Sequence, residues 1–180
     1  MVYKSSSAFL AQVQPGAYTE TFDGLAGTPP GAAPFSAGAF SYTIAAPSDT
    51  YATGDYLSTS LPDEALTIRF TSGNVRAIGA NFFATDINPD FQSVLVSLRL
   101  SDGTVESFTP KSMGDSYRGF VFDSAITSMT ISAAGHSLYA TLDNLTVGTV
   151  PEPASLALAG LALAGLGVVR RRSRNDSLSR

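Results

Sequence analysis

Residues 93–109 read SVLVSLRLSDGTVESFT. Val94, Val96 and Leu98 alternate with Leu95, Ser97 and Arg99. A period of two is that of a strand, whose side chains point to opposite faces in turn. Ser101-Asp102-Gly103-Thr104 then supplies an Asp-Gly turn, and Val105 to Thr109 resumes the extended pattern. Strand, Asp-Gly turn, strand is the signature of a β-hairpin. The fold class follows from how often this pattern recurs on either side.

Upstream, Tyr18–Phe22, Phe40–Ile44, Leu66–Phe70 and Val75–Thr85 read as strands. In Leu66–Phe70 the apolar residues Leu66, Ile68 and Phe70 share one face. Downstream come Phe120–Phe122, Ile126–Ser132 and Leu138–Val147. With the hairpin this makes about nine strands at spacings near ten residues. Gly24 to Gly38 reads as a Gly/Pro/Ala loop. No repeat period and no βαβ alternation is visible, so a parallel or solenoid fold is disfavoured. The expectation is an all-β, antiparallel β-sandwich of jelly-roll-like form over residues 1–149. Ser5 to Gln14 reads as a short helix capped by Ser5 or Ser6, with Phe9, Leu10 and Val13 on one face. Pro15-Gly16 ends it.

Composition narrows the function. The chain has 180 residues and no cysteine, which excludes disulfides, thiolate nucleophiles and cysteine metal sites. Residues 1–150 carry six basic and thirteen acidic side chains, a net −7. An acidic body repels phosphates, so no nucleic acid is expected as a partner. No phosphate-cradling glycine loop or histidine-based metal motif is present.

The C-terminal end differs in kind. Residues 151–174 read PEPASLALAGLALAGLGVVRRRSR. Pro151, Glu152 and Pro153 stop a preceding strand and favour extended backbone. Residues 154–169 are sixteen positions without a charge. Apolar all round, they suit a transmembrane helix rather than an amphipathic core helix. With snorkelling arginines the stretch can just cross a thin bilayer. Arg170, Arg171, Arg172 and Arg174 follow as stop-transfer charges on the cytoplasmic side, which puts the body outside. Residues 175–180 form a basic tail end.

This order of Pro-Glu-Pro, short Gly/Ala/Leu helix and arginine cluster resembles the PEP-CTERM sorting signal, over residues 150–174. The resemblance implies recognition by an exosortase, a membrane-embedded cysteine protease. It implies a transient stay in the inner membrane and tail removal on the way to the cell surface or extracellular matrix. It also implies a Gram-negative host that makes exopolysaccharide. An exported chain needs a signal peptide, and residues 1–10 show none, so the expectation is that one lies upstream.

The body resembles exported bacterial jelly-roll modules in SAFLAQV near its start, TETFDGL at 19–25 and AIGANFFATD at 77–86. VSLRLSDG at 96–103, YRGFVF at 117–122 and LDNLTVG at 142–148 continue the likeness. The wider group is similar to carbohydrate-binding modules and lectin-like sandwiches. Such modules often hold a structural calcium between first and last strands.

Candidate sites follow. A strand through 142–147 puts Asp143 on the face of Leu145 and Val147. A carboxylate there must be paired, hydrogen-bonded or metal-bound. One reading is a structural calcium held by Glu20, Asp23 and Asp143, since calcium takes six to eight oxygens. The other is a strand-end aspartate bonded to nearby backbone. Asp86, Asn88 and Asp90 are spaced like the start of a calcium loop, but Pro89 and the missing glycine and glutamate favour a solvated turn. Tyr51, Tyr56 and Tyr117 lie beside turn residues and are candidate platforms for sugar rings. His136 is the single histidine, near Ser132 and Ser137, without a nucleophile elbow around either serine. The expected role is a non-catalytic exported protein sorted to the surface or exopolysaccharide matrix. The alternative is a lectin-like carbohydrate-binding module, and a small hydrolase comes last.

Overall fold

A computed structural model describes residues 1–27 and 32–151. The elements along the chain are β1 (Val2–Tyr3), α1 (Ser6–Leu10), β2 (Tyr18–Glu20), β3 (Ala26–Gly27), β4 (Ala33–Ala37) and β5 (Phe40–Ala45). β6 (Thr50–Thr53), β7 (Leu57–Thr59), β8 (Leu66–Phe70), β9 (Ala77–Thr85) and β10 (Phe91–Gln92) follow. β11 (Val96–Leu100), β12 (Val105–Phe108), β13 (Tyr117–Val121), β14 (Ser128–Ala133) and β15 (Tyr139–Gly148) complete them.

The hairpin at 96–108 is present. Val96 pairs with Phe108 and Leu98 with Glu106. Asp102 closes the turn by accepting the Thr104 N–H and hydroxyl, each at 2.9 Å. Gly103 takes φ +91°, the left-handed region open to glycine. Val96, Leu98 and Leu100 are buried while Arg99 is exposed, as the alternation predicts.

The strands form two antiparallel sheets. Among the described residues the larger has nine strands, with the path β1-β13-β9-β15-β7-β6-β3 and with β2 on β15 and β10 on β9. The smaller has six, in the order β12-β11-β14-β8-β5-β4. Their inner faces enclose one core: Ile44, Leu66, Ile68, Leu98 and Ile131 from the smaller sheet, Ile78, Phe82, Leu142 and Leu145 from the larger. This is the sandwich solution, in which each sheet buries its apolar face on the other. Met1–Val150 forms one compact unit.

All nine expected strands exist, with shifts at their ends. Three expectations need correction. The stretch 24–38 is not wholly loop, for β3 and β4 lie within it. β4 pairs along its length with β5, Ala33 to Ile44 and Ala37 to Phe40, at the open edge of the smaller sheet. Pro34 is tolerated there because an edge strand has a free side for a residue without N–H. Second, the helix is one turn and a half rather than ten residues. Ser5 caps it, its hydroxyl accepting the Ala8 N–H at 3.3 Å. Tighter bonds from Gln12 to Phe9 and from Val13 to Leu10 then close the chain into a turn. Third, Leu10 is 45% exposed and shares no face with buried Phe9.

The tail lies outside the described residues from 152 onward. Glu152, Pro153, the apolar stretch 154–169, Arg170, Arg171, Arg172, Arg174 and residues 175–180 therefore receive no structural description, and Pro151 is exposed. No helix among the described residues is long and apolar enough to cross a membrane.

Candidate functional site: a tyrosine-lined cleft on the larger sheet

The outer face of the larger sheet divides into two halves. One half is covered by the chain's own N-terminal segment. Phe9 is fully buried there, with its ring 6.2 Å from that of Tyr117 and 6.4 Å from that of Tyr3. Gly79 and Gly119 lie opposite each other on β9 and β13 and floor this socket. A Cβ on Gly119 would stand 2.6 Å from the Phe9 ring, and one on Gly148 would stand 2.5 Å from Val13. The glycines are required by close approach, not by a turn.

The other half is open and holds a cleft of about 310 Å³. Alternation along the β6–β7 pair builds it. Ala52 and Leu57 point into the core, so Tyr51 and Ser58, which are register partners, point outward. Thr85 at the end of β9 and Tyr139 at the start of β15 are also partners and add to the floor. Tyr51 is 43% exposed and Ile87, at the rim, 74%.

One wall is held rigidly. The Tyr56 ring meets Phe83 edge-on at 5.4 Å, and Phe83 meets Phe91 at 6.2 Å. The Tyr56 hydroxyl donates to the Pro89 carbonyl at 2.6 Å. Burial, helped by the carboxylates of Asp55, Asp90 and Asp86, raises this hydroxyl's pKa and keeps its proton in place. Asp86 ties the same loop together. One oxygen accepts the N–H groups of Asn88 and Asp90, at 2.9 and 3.1 Å, and the other accepts Gln92 Nε2 at 2.8 Å. The 86–90 loop is thus a turn built around Asp86, as its sequence suggested.

Among the described residues no lysine, arginine or histidine lines the cleft, and Asp86 is its one carboxylate. What remains is three aromatic rings, those of Tyr51, Tyr56 and Tyr139, with serine and threonine hydroxyls, Pro89 and the Ile87 side chain. Such a lining offers stacking and hydrogen bonding without a general acid–base pair or a nucleophile–base pair.

Asp143 is placed differently from the expectation. β15 carries a bulge between Asp143 and Thr146, where Asn144 adopts φ +54°. The extra residue resets the alternation. Leu142, Leu145 and Val147 all reach the core, while Asp143 faces outward beside Asn81. Its oxygens accept the Asn144 N–H at 2.6 Å and Asn144 Nδ2 at 2.7 Å. Half-burial pushes its pKa up to about 6; the Asn144 N–H opposes this, and the carboxylates of Asp23 and Asp55 add to it.

Glu20 stands on the other side of the sheet. Thr19 meets Thr146 outward at 2.8 Å, so Tyr18 and Glu20 face inward, with Tyr18 6.4 Å from the Tyr42 ring. The Glu20 carboxylate accepts the Tyr18 hydroxyl and, at 3.0 Å, the Phe22 N–H. Asp23 is thus close enough to act on the Asp143 carboxylate, whereas Glu20 and Asp143 lie on opposite faces of the sheet. Among the described residues no group of three or more such side chains is arranged to hold a metal ion.

Of the other candidates, Tyr117 is only 5% exposed beneath α1 and is no surface platform, because the N-terminal segment folds over it. His136 is exposed in the turn between β14 and β15, and Ser132 and Ser137 are exposed as well. Tyr139, Ser58 and Thr85 were missed as site residues. Outward alternation on β7, β9 and β15 was the available signal, but only pairing of these strands brings them together.

Residues 149–172 match the PEP-CTERM protein-sorting motif. The match covers the C-terminal segment alone and supports a protein that an exosortase sorts to the cell surface. No curated protein and no solved structure matches the chain significantly.

Proposed function

We propose that the chain is an exported, non-catalytic module that an exosortase delivers to the cell surface or the exopolysaccharide matrix. The observation that carries this reading is the sorting motif at 149–172. Residues 154–169 hold the chain in the inner membrane during transit, with Arg170, Arg171, Arg172 and Arg174 on the cytoplasmic side. Cleavage near Pro151, Glu152 and Pro153 then releases the body. The body is a jelly-roll-like module. Its support is the chain's repeated passage between two antiparallel sheets and the non-sequential neighbours of β9, which lies between β13 and β15. A non-catalytic role is supported by a cleft whose one carboxylate is engaged by its own loop.

Intact mass and cell fractionation of the protein, expressed from its own locus, test this. The expected product is a surface or medium form ending near Pro151. Full-length protein in the cytoplasm, still ending at Arg180, would refute the sorting reading.

A further inference from the structure

We infer that the cleft between Tyr51 and Tyr139 is a binding subsite for a neutral saccharide, and that this body attaches to uncharged polysaccharide through it. The inference names the ligand of the matrix role proposed above and rests on that reading for its biological setting.

Four observations converge. First, the cleft has aromatic surface where a ligand can reach it. Tyr51 is 43% exposed on an outward face, and Tyr139 lies in the same floor. A pyranose ring presents an apolar face of C–H groups, which stacks on an aromatic ring. Second, the rest of the floor consists of hydroxyls from Ser58, Ser60, Thr53 and Thr85. Ser58 already donates to the Tyr51 carbonyl and Thr85 is bonded to Thr141, so what these two hydroxyls offer the hydroxyl edge of a sugar is chiefly acceptor lone pairs. Third, among the described residues no cation lines the cleft while the Asp86 carboxylate does, which disfavours phosphate, sulfate and uronate groups, and the acidic body repels them further. Fourth, the wall is preorganised. Tyr56 is fixed by Phe83 and the Pro89 carbonyl, and Asp86 fixes the loop from which Ile87 projects. A rigid wall lowers the ordering cost of binding.

The volume of about 310 Å³ lies at the small end of ligand sites. It suits one or two rings of a longer chain. A single shallow subsite binds weakly, so avidity would come from many copies meeting a repetitive polymer.

The test is affinity electrophoresis of the full chain in a sugar-free detergent. Gels contain dextran, a β-glucan, xylan or galactomannan, with alginate as an acidic contrast. Retardation is expected in at least one neutral gel. Tyr51→Ala should weaken it about tenfold, as loss of a central aromatic anchor does, and Tyr51→Phe should keep it. Because Tyr51 is exposed, its variants should melt like the parent protein, which separates lost binding from lost folding. No retardation in any neutral gel, retardation by alginate alone, or equal retardation of Tyr51→Ala would each overturn the inference. Failure here with correct fractionation in cells would sink only the saccharide subsite. Neutral-polysaccharide binding by a protein that stays in the cytoplasm would sink only the sorting reading.

Discussion

The two halves of the larger sheet's outer face use the same strands to opposite ends. Under α1 the sheet is paved with Gly79, Gly119 and Gly148, and the chain fills the space with Phe9 and Val13. Around the cleft it is paved with Tyr51, Ser58, Thr85 and Tyr139, and nothing from the described chain covers it. β9 and β15 run through both halves. The difference therefore lies in side chains rather than in backbone. Glycine removes bulk so that the protein's own aromatic ring can seat; tyrosine and hydroxyls create a surface for something else. One half serves stability, and the other is the half we propose for recognition.

That contrast breaks first at Phe9. Phe9→Ala should cost about 3–5 kcal/mol, read from denaturant unfolding, because a fully buried ring leaves a cavity over the glycine floor. An unfolding midpoint close to that of the parent protein would show that the N-terminal cover is dispensable. Next comes Gly119→Ala, whose added methyl would stand 2.6 Å from that ring. A cost of about 1–3 kcal/mol is expected, shrinking when Phe9→Ala is present as well. Additive losses would mean that the two residues do not share one socket.

A smaller effect is expected at Asp143, between the two halves. Its folded pKa of about 6 exceeds the ordinary 3.8. Between those values the folded state keeps a proton that the unfolded chain has lost. Stability should therefore fall as pH rises from about 4 to about 6 and level off above, by on the order of 1 kcal/mol after solvent screening. Asp143→Asn should remove this fall and leave the variant more stable than the parent at neutral pH. A melting temperature that tracks pH identically in both proteins would show that Asp143 is not responsible.

The smallest stability effect belongs to the open half. Tyr51→Ala should change unfolding free energy by less than about 0.5 kcal/mol, since the ring is 43% exposed. A large loss would mean that the cleft serves packing after all.

Much of this was legible from alternation alone. Leu66–Phe70 and the 96–108 hairpin read correctly because half-buried strands repeat every second residue. β6, β7 and β10 were not read, being short and polar and held by their neighbours. Asp143 was assigned to the wrong face because a strict period of two cannot register the bulge at Asn144. Tyr51 and Tyr56 were singled out and do line the cleft, whereas Tyr117 was lost to cover by Phe9, a residue distant in sequence. Local pattern shows what a side chain could do; which neighbours reach it is decided by long-range pairing.

The position of β15 has a consequence in time. It is the last strand among the described residues, yet it is central in its sheet, bonded to β9, β7 and β2. Glu20 waits for Leu145 and Phe82 for Leu142 before the larger sheet can join. Folding dominated by such distant contacts is slow, and here it cannot finish until nearly the whole body has been synthesised. A chain built this way postpones its own closure until β15 has been made.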